Sequence, residues 1–225
     1  MKKILMLCGV AAAIVYIGTV LLGGWLRPGY SHISMAISEL VADGAPNRSL
    51  LSSAFLVYNT LLSIFGLGLF LKANSHSRGR ISGMIGSLAV LLVGLAGILM
   101  ELAFPQEPGG TATTFTGIMH FVMAGVAALG TMVAILMLAF WFKNIPALKG
   151  YIVYSLISVA VIFISGGLGA AAMANHSPIF GLIERITIFT FTLWMFVIGR
   201  KMAQLEGKTS NTAQFEFIRS TSKGN

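Results

Sequence analysis

Six uninterrupted apolar runs, at residues 4–26, 50–71, 81–104, 116–142, 151–174 and 182–199, leave this chain little choice of environment. A helix needs about 20 apolar residues to cross a hydrocarbon core of about 30 Å, so each run is long enough, or nearly so, to span a bilayer. Inside lipid the backbone must satisfy its own hydrogen bonds, and runs of this length without alternating polarity cannot be barrel strands. The expected fold is therefore all-α: a polytopic membrane protein in which residues 1–202 form a six-transmembrane-helix bundle. The 10% of charged residues agrees, since soluble domains carry about 25%.

Orientation follows from the short connecting segments, because Lys and Arg accumulate on the cytoplasmic side. Lys2, Lys3, Lys72, Arg78, Arg80, Lys143, Lys149, Arg200 and Lys201 share one side, against Arg27, Arg48 and Arg185 on the other. This predicts a cell (inner or cytoplasmic) membrane protein with both termini inside. Topology thus accounts for the net charge of +8, and the scatter of basic residues gives no stripe for a nucleic-acid partner. Met1-Lys2-Lys3 resembles the start of a signal peptide. The apolar run behind it is too long and lacks a small-x-small cleavage site, so it reads as a retained anchor. The single cysteine, Cys8, lies inside that run and can form no intrachain disulfide. Residues 203–225 are polar and read as a disordered cytoplasmic tail.

Small residues mark where helices approach each other in lipid. Gly83, Gly86, Gly94 and Gly97 do so in the third run, and the series from Ser165 to Ala172 does so in the fifth. No glycine joins a strand to a helix, so no phosphate-binding loop is read.

The unusual residues collect on the outward side. Between Arg27 and Ser49, the residues Ile33, Ala36, Ile37, Leu40 and Val41 recur at helical spacing, with Ser31 as N-cap and Gly44 as stop, predicting a short amphipathic outer-loop helix. Ser34, Ser38 and Glu39 fall on its polar side. Charge at membrane depth is costly and calls for a partner, water or protonation, which singles out Glu101 and Glu184. His120 lies at similar depth on a third helix. Glu101, His120 and Glu184 are the catalytic candidates, and Ser38, Glu39, Asn47, Arg48 and Arg185 the substrate-binding ones. His32 and His120 are the metal-ligand candidates, although no two histidines stand at a ligand spacing and no cofactor is indicated. A purely structural alternative pairs Glu184 with Arg185 or Arg48, Glu39 with Arg48, and His120 with a carbonyl.

Ile37-Ser38-Glu39-Leu40, then Gly44-Ala45-Pro46-Asn47-Arg48, Phe104-Pro105, His120 and Glu184-Arg185 together resemble the bacterial and archaeal family called domain of unknown function 998. That family often reads Phe-Pro-x-Asp where this chain has Phe104-Pro105-Gln106-Glu107, an acid with a longer side chain. The resemblance implies a six-helix membrane protein and points to the same outward positions. It implies no activity.

The leading functional expectation is a small-molecule or lipid-headgroup site at the outer mouth of the bundle. A proton-coupled transporter is the first alternative, though no acidic residue or histidine lies in the inner half of any run. The second is a structural protein whose partner is another membrane protein or a second copy of the chain. Membrane lipids are partners in every case.

Overall fold

The computed structural model describes the backbone of residues 2–222 and the side chains of residues 2–208. The described residues form six α-helices: α1 (Lys2–Leu26), α2 (Arg48–Asn74), α3 (Arg80–Ala103), α4 (Phe115–Phe142), α5 (Tyr151–Ala174) and α6 (Phe180–Ser222). Their connections hold three 3-10 turns, and the described residues contain no strand. All six helices are long and apolar enough to cross a membrane, so this is a multi-pass membrane protein in contact with lipid.

Each helix packs against its neighbours in sequence, and α6 closes the ring on α1. The α1–α2, α3–α4 and α5–α6 connections therefore lie together at one end, called the mouth, and the other two lie at the base. Size, rather than polarity, separates the inward from the outward faces. On α3, Leu88, Leu92, Leu95 and Leu99 face outward, where lipid is as apolar as they are. The same helix turns Gly83, Gly86 and Gly94 inward. A Cβ on Gly86 would strike Leu138 and the Ala134 carbonyl of α4, and one on Gly83 would strike Trp141.

The base is packed solid. Phe65, Leu69, Leu138, Trp141, Phe142, Trp194, Met195, Ile198 and Met202 are all fully buried there. The Trp194 indole donates to Ser155 Oγ at 2.9 Å, and Lys72 forms an ion pair with Glu206.

Three expectations are adjusted. The last helix continues past Gly199, with Met202 and Ala203 buried against the bundle. Its backbone stays helical through Ser222, and the part of the tail expectation that falls on residues 223–225 lies outside the described residues. Within the 165–172 series of α5 only Ser165, Gly169 and Ala172 are buried, while a side chain on Gly167 would meet nothing. The eight residues of this series, all small but Leu168, wind more than two turns, so a single stripe of them faces a neighbour. The outer-loop helix is a four-residue 3-10 turn, Ser38–Val41, and its apolar residues Ile37, Leu40 and Val41 are buried in the core of the bundle.

Candidate functional site

Residues 30–41 of the α1–α2 connection form a lid over the mouth, fastened by the start of α6. The first-turn N–H of Leu182 donates to the Ile33 carbonyl at 2.8 Å. Arg185, 6% exposed, donates to the Met35 carbonyl at 2.9 Å and to the Gly181 carbonyl of its own helix at 2.8 Å. It also donates to the Tyr30 hydroxyl, which passes a hydrogen bond on to the Ala36 carbonyl at 2.8 Å. Glu184 Oε2 accepts from the Ile37 N–H at 2.7 Å. Burial pushes the Tyr30 phenol up to about 12, against the opposing pull of Arg185, so it remains a neutral donor. Ser31 does not cap the 3-10 turn, whose N-cap position is Ile37 and which has no side-chain cap; its hydroxyl instead accepts from the Ile33 and Ser34 N–H groups, both at 3.3 Å, in the turn before it.

The α3–α4 connection forms the opposite rim. Glu107 accepts from the backbone N–H groups of Thr113 and Thr114 at 2.9 and 2.7 Å, and from the hydroxyls of Thr111, Thr113 and Thr114. These donors hold its carboxyl well below the usual carboxylate range. The anion thereby sits at the N-terminus of α4, where the helix dipole favours it, and Thr114 caps that helix by accepting from Gly117 N–H at 3.2 Å. Gln106, fully buried, accepts from Ser38 Oγ at 3.3 Å and so ties the two rims together.

His120 stands one turn into α4 and is 6% exposed. Its Nδ1 lies 2.8 Å from the Phe104 carbonyl. A carbonyl can only accept, so Nδ1 carries the hydrogen and Nε2 is the bare, basic nitrogen.

Between these rims a cavity of about 980 Å³ descends into the bundle, with residues of all six helices in its wall. It lies at the upper end of the 300–1,000 Å³ or so of small-molecule sites. Ser38, Glu39, Glu101, His120 and Glu184 all line it, so five of the sequence-named residues come together. Each of the three carboxylates is held by one oxygen: Glu39 by the Ala36 N–H at 3.0 Å, Glu101 by the Ser52 hydroxyl at 2.6 Å and Glu184 by Ile37. Among the described residues the second oxygen of each has no protein donor.

The other named residues lie off the lining. Arg48 pairs with Asp43 at 2.6 Å, and Asn47 starts α2 in the left-handed region at φ 59°. Arg185 is occupied by the lid contacts above. His32 packs against Gly24 and edge-on to Tyr30 with ring centroids 5.2 Å apart. Burial and the nearby Arg185 both lower its pKa. Among the described residues no three His, Cys, Asp or Glu side chains come together as a metal-binding group.

Sequence reasoning passed over Tyr16, Tyr58 and Asn59, which line the deeper cavity. A carboxamide within the 50–71 apolar run was the available signal, since polar groups at membrane depth are costly. Gly97 makes room for it, because a Cβ there would collide with the Asn59 carboxamide.

No curated protein and no solved structure matches the chain. A family model, described as Protein of unknown function (DUF998), matches residues 10–201. That span takes in α2 to α5 whole, most of α1, the first half of α6 and both rims of the cavity, and the chain belongs to this family.

Proposed function

We propose that the chain binds a polar small molecule or lipid headgroup at the mouth of its bundle, with the mouth facing outward from the cytoplasmic membrane and both termini inside. One observation carries this reading: a large cavity walled by all six helices has Glu39, Glu101, His120 and Glu184 around its entrance, while the opposite end is filled by buried aromatic and aliphatic side chains. The solid base favours binding over carriage through the bundle.

The headgroup bears an amine or hydroxyl rather than a phosphate. Three carboxylates each offer a free oxygen, whereas Arg48 is taken by Asp43 and Arg185 by the lid. Among the described residues an anion would meet like charge, with Arg27 as well held on the Glu39 carbonyl. An ammonium or hydroxyl would find acceptors already oriented. His120 Nε2 supplies a general base within the same wall, so a lipid-directed hydrolase or transferase is the enzymatic form of this reading.

Native mass spectrometry of the gently extracted protein tests it. A bound amphiphile on the wild type that is missing from a folded Glu101→Gln/His120→Ala variant is the expected result. Absence of any ligand from both, at equal stability, refutes it and leaves the polar residues as fasteners between helices.

A further inference from the structure

The floor of the cavity carries polar groups that the fold itself does not use. Tyr16 of α1 and Tyr58 and Asn59 of α2 are each 7% exposed, and all three line the cavity. Among the described residues neither the two phenol hydroxyls nor the Asn59 carboxamide has a protein hydrogen-bond partner. Asn59 contributes only its backbone carbonyl, which accepts from Ser63 Oγ at 2.9 Å. The tyrosine rings are held by packing, with centroids 4.6 Å apart and Phe55 at 5.4 Å from Tyr16.

Polar groups at membrane depth are nearly always paired, and the free atoms of these three are not fully enclosed but open on the cavity. Three together, in a membrane helix pair where Phe would pack equally well, are not a packing solution. They present two hydroxyl donors, an amide donor and an amide acceptor to one space below the carboxylates of the mouth, of which Glu184 is near enough to act on Tyr16 electrostatically. This is the complement of an uncharged oxygen group such as a hydroxyl or a carbonyl.

Depth fixes the relation to the mouth. Ser52, which holds Glu101, lies seven residues above Asn59 on α2, a drop of about 10 Å at 1.5 Å per residue. Phe55, Val93, Ile188 and Phe191 line the wall as well. We infer that Tyr16, Tyr58 and Asn59 form a second subsite, which takes a hydroxyl or carbonyl at the buried end of a ligand whose amine or hydroxyl headgroup stays at the carboxylate mouth. The ligand is then polar at both ends and apolar between. The inference rests on the mouth reading above and adds the far-end chemistry.

Two probes separate the subsites: octylamine, and an aminooctanol with its hydroxyl at the end remote from the amine. Both are offered at equal concentration to the purified full chain, and bound copies are counted by native mass spectrometry. Wild type is expected to favour the aminooctanol roughly two- to tenfold, as one net neutral hydrogen bond allows. Tyr58→Phe/Asn59→Leu, or Tyr58→Phe alone, is expected to bring the ratio to one or below while octylamine still binds. The same variants keep or raise the unfolding midpoint of the ligand-free protein, because no protein hydrogen bond is lost; a merely structural role would lower it. Equal binding of both probes to wild type, or an unchanged preference in the variants, overturns the floor subsite and leaves the mouth standing. Failure of wild type to bind either probe overturns both.

Discussion

Replacing Arg185 with methionine removes the strongest clasp between α6 and the lid while keeping a long apolar stem in its place. Two interactions cross to the lid, to the Met35 carbonyl and the Tyr30 hydroxyl. The bond to Gly181 stays within α6. Hydrogen bonds from a charged donor are worth about 1.5–3 kcal/mol each, so the gross loss is about 3–6 kcal/mol. Against this stands the desolvation of a guanidinium that is 6% exposed and whose Nε has no partner, a burden the methionine does not carry. A net loss of about 2–3 kcal/mol follows, or roughly thirty- to hundredfold in lid opening at 1.4 kcal/mol per tenfold. Hydrogen–deuterium exchange on residues 30–41 reads it directly. Exchange there should rise by that factor while α2 and α3 keep wild-type protection, because their packing shares no atom with the clasp. Unchanged exchange in the lid would refute the assignment of Arg185 as its fastener. A uniform rise across the bundle would show that the residue holds the whole fold instead.

Three further outcomes are expected. Glu107 has its carboxyl pK depressed by its donors, so its stabilisation is complete above the unfolded value of about 4.3 and is lost only as pH falls below that toward the folded value. The unfolding midpoint of wild type should exceed that of Glu107→Gln at neutral pH, with the gap closing in strong acid; a gap that widened in acid would reverse the sign. Trp194→Phe removes a buried hydrogen bond to Ser155 and should cost about 1 kcal/mol in detergent-titrated unfolding, and no loss would mean that the bond contributes nothing net. In a Cys8→Ser background, Ser49→Cys should react with an impermeant thiol reagent on intact cells, and Ser75→Cys only after permeabilisation. The opposite pattern would invert the orientation.

The six helices were legible because spanning length and uniform hydropathy are properties of sequence alone. Glu101, His120 and Glu184 were legible as a group because charge or imidazole near membrane depth is rare, and Ser38 and Glu39 because they fell on the polar side of the outer loop's apolar repeat. The partners were not. Glu39 and Glu184 are held by backbone N–H groups of Ala36 and Ile37, which no side-chain inventory reveals. Arg185 read as a headgroup ligand because its charge was visible while the carbonyls that occupy it were not. Tyr16 and Tyr58 escaped notice because an aromatic residue in a spanning helix reads as packing until its hydroxyl is found without a partner.

The division of α3 into bulky and minute faces has a consequence for what the primary structure encodes. At Leu88, Leu92, Leu95 and Leu99 any letter of the apolar alphabet spells the same fold, because the surrounding solvent does not discriminate among them. At Gly83, Gly86 and Gly94 a single added carbon is a collision. The information that specifies this architecture is therefore steric and concentrated in a few of its lightest residues.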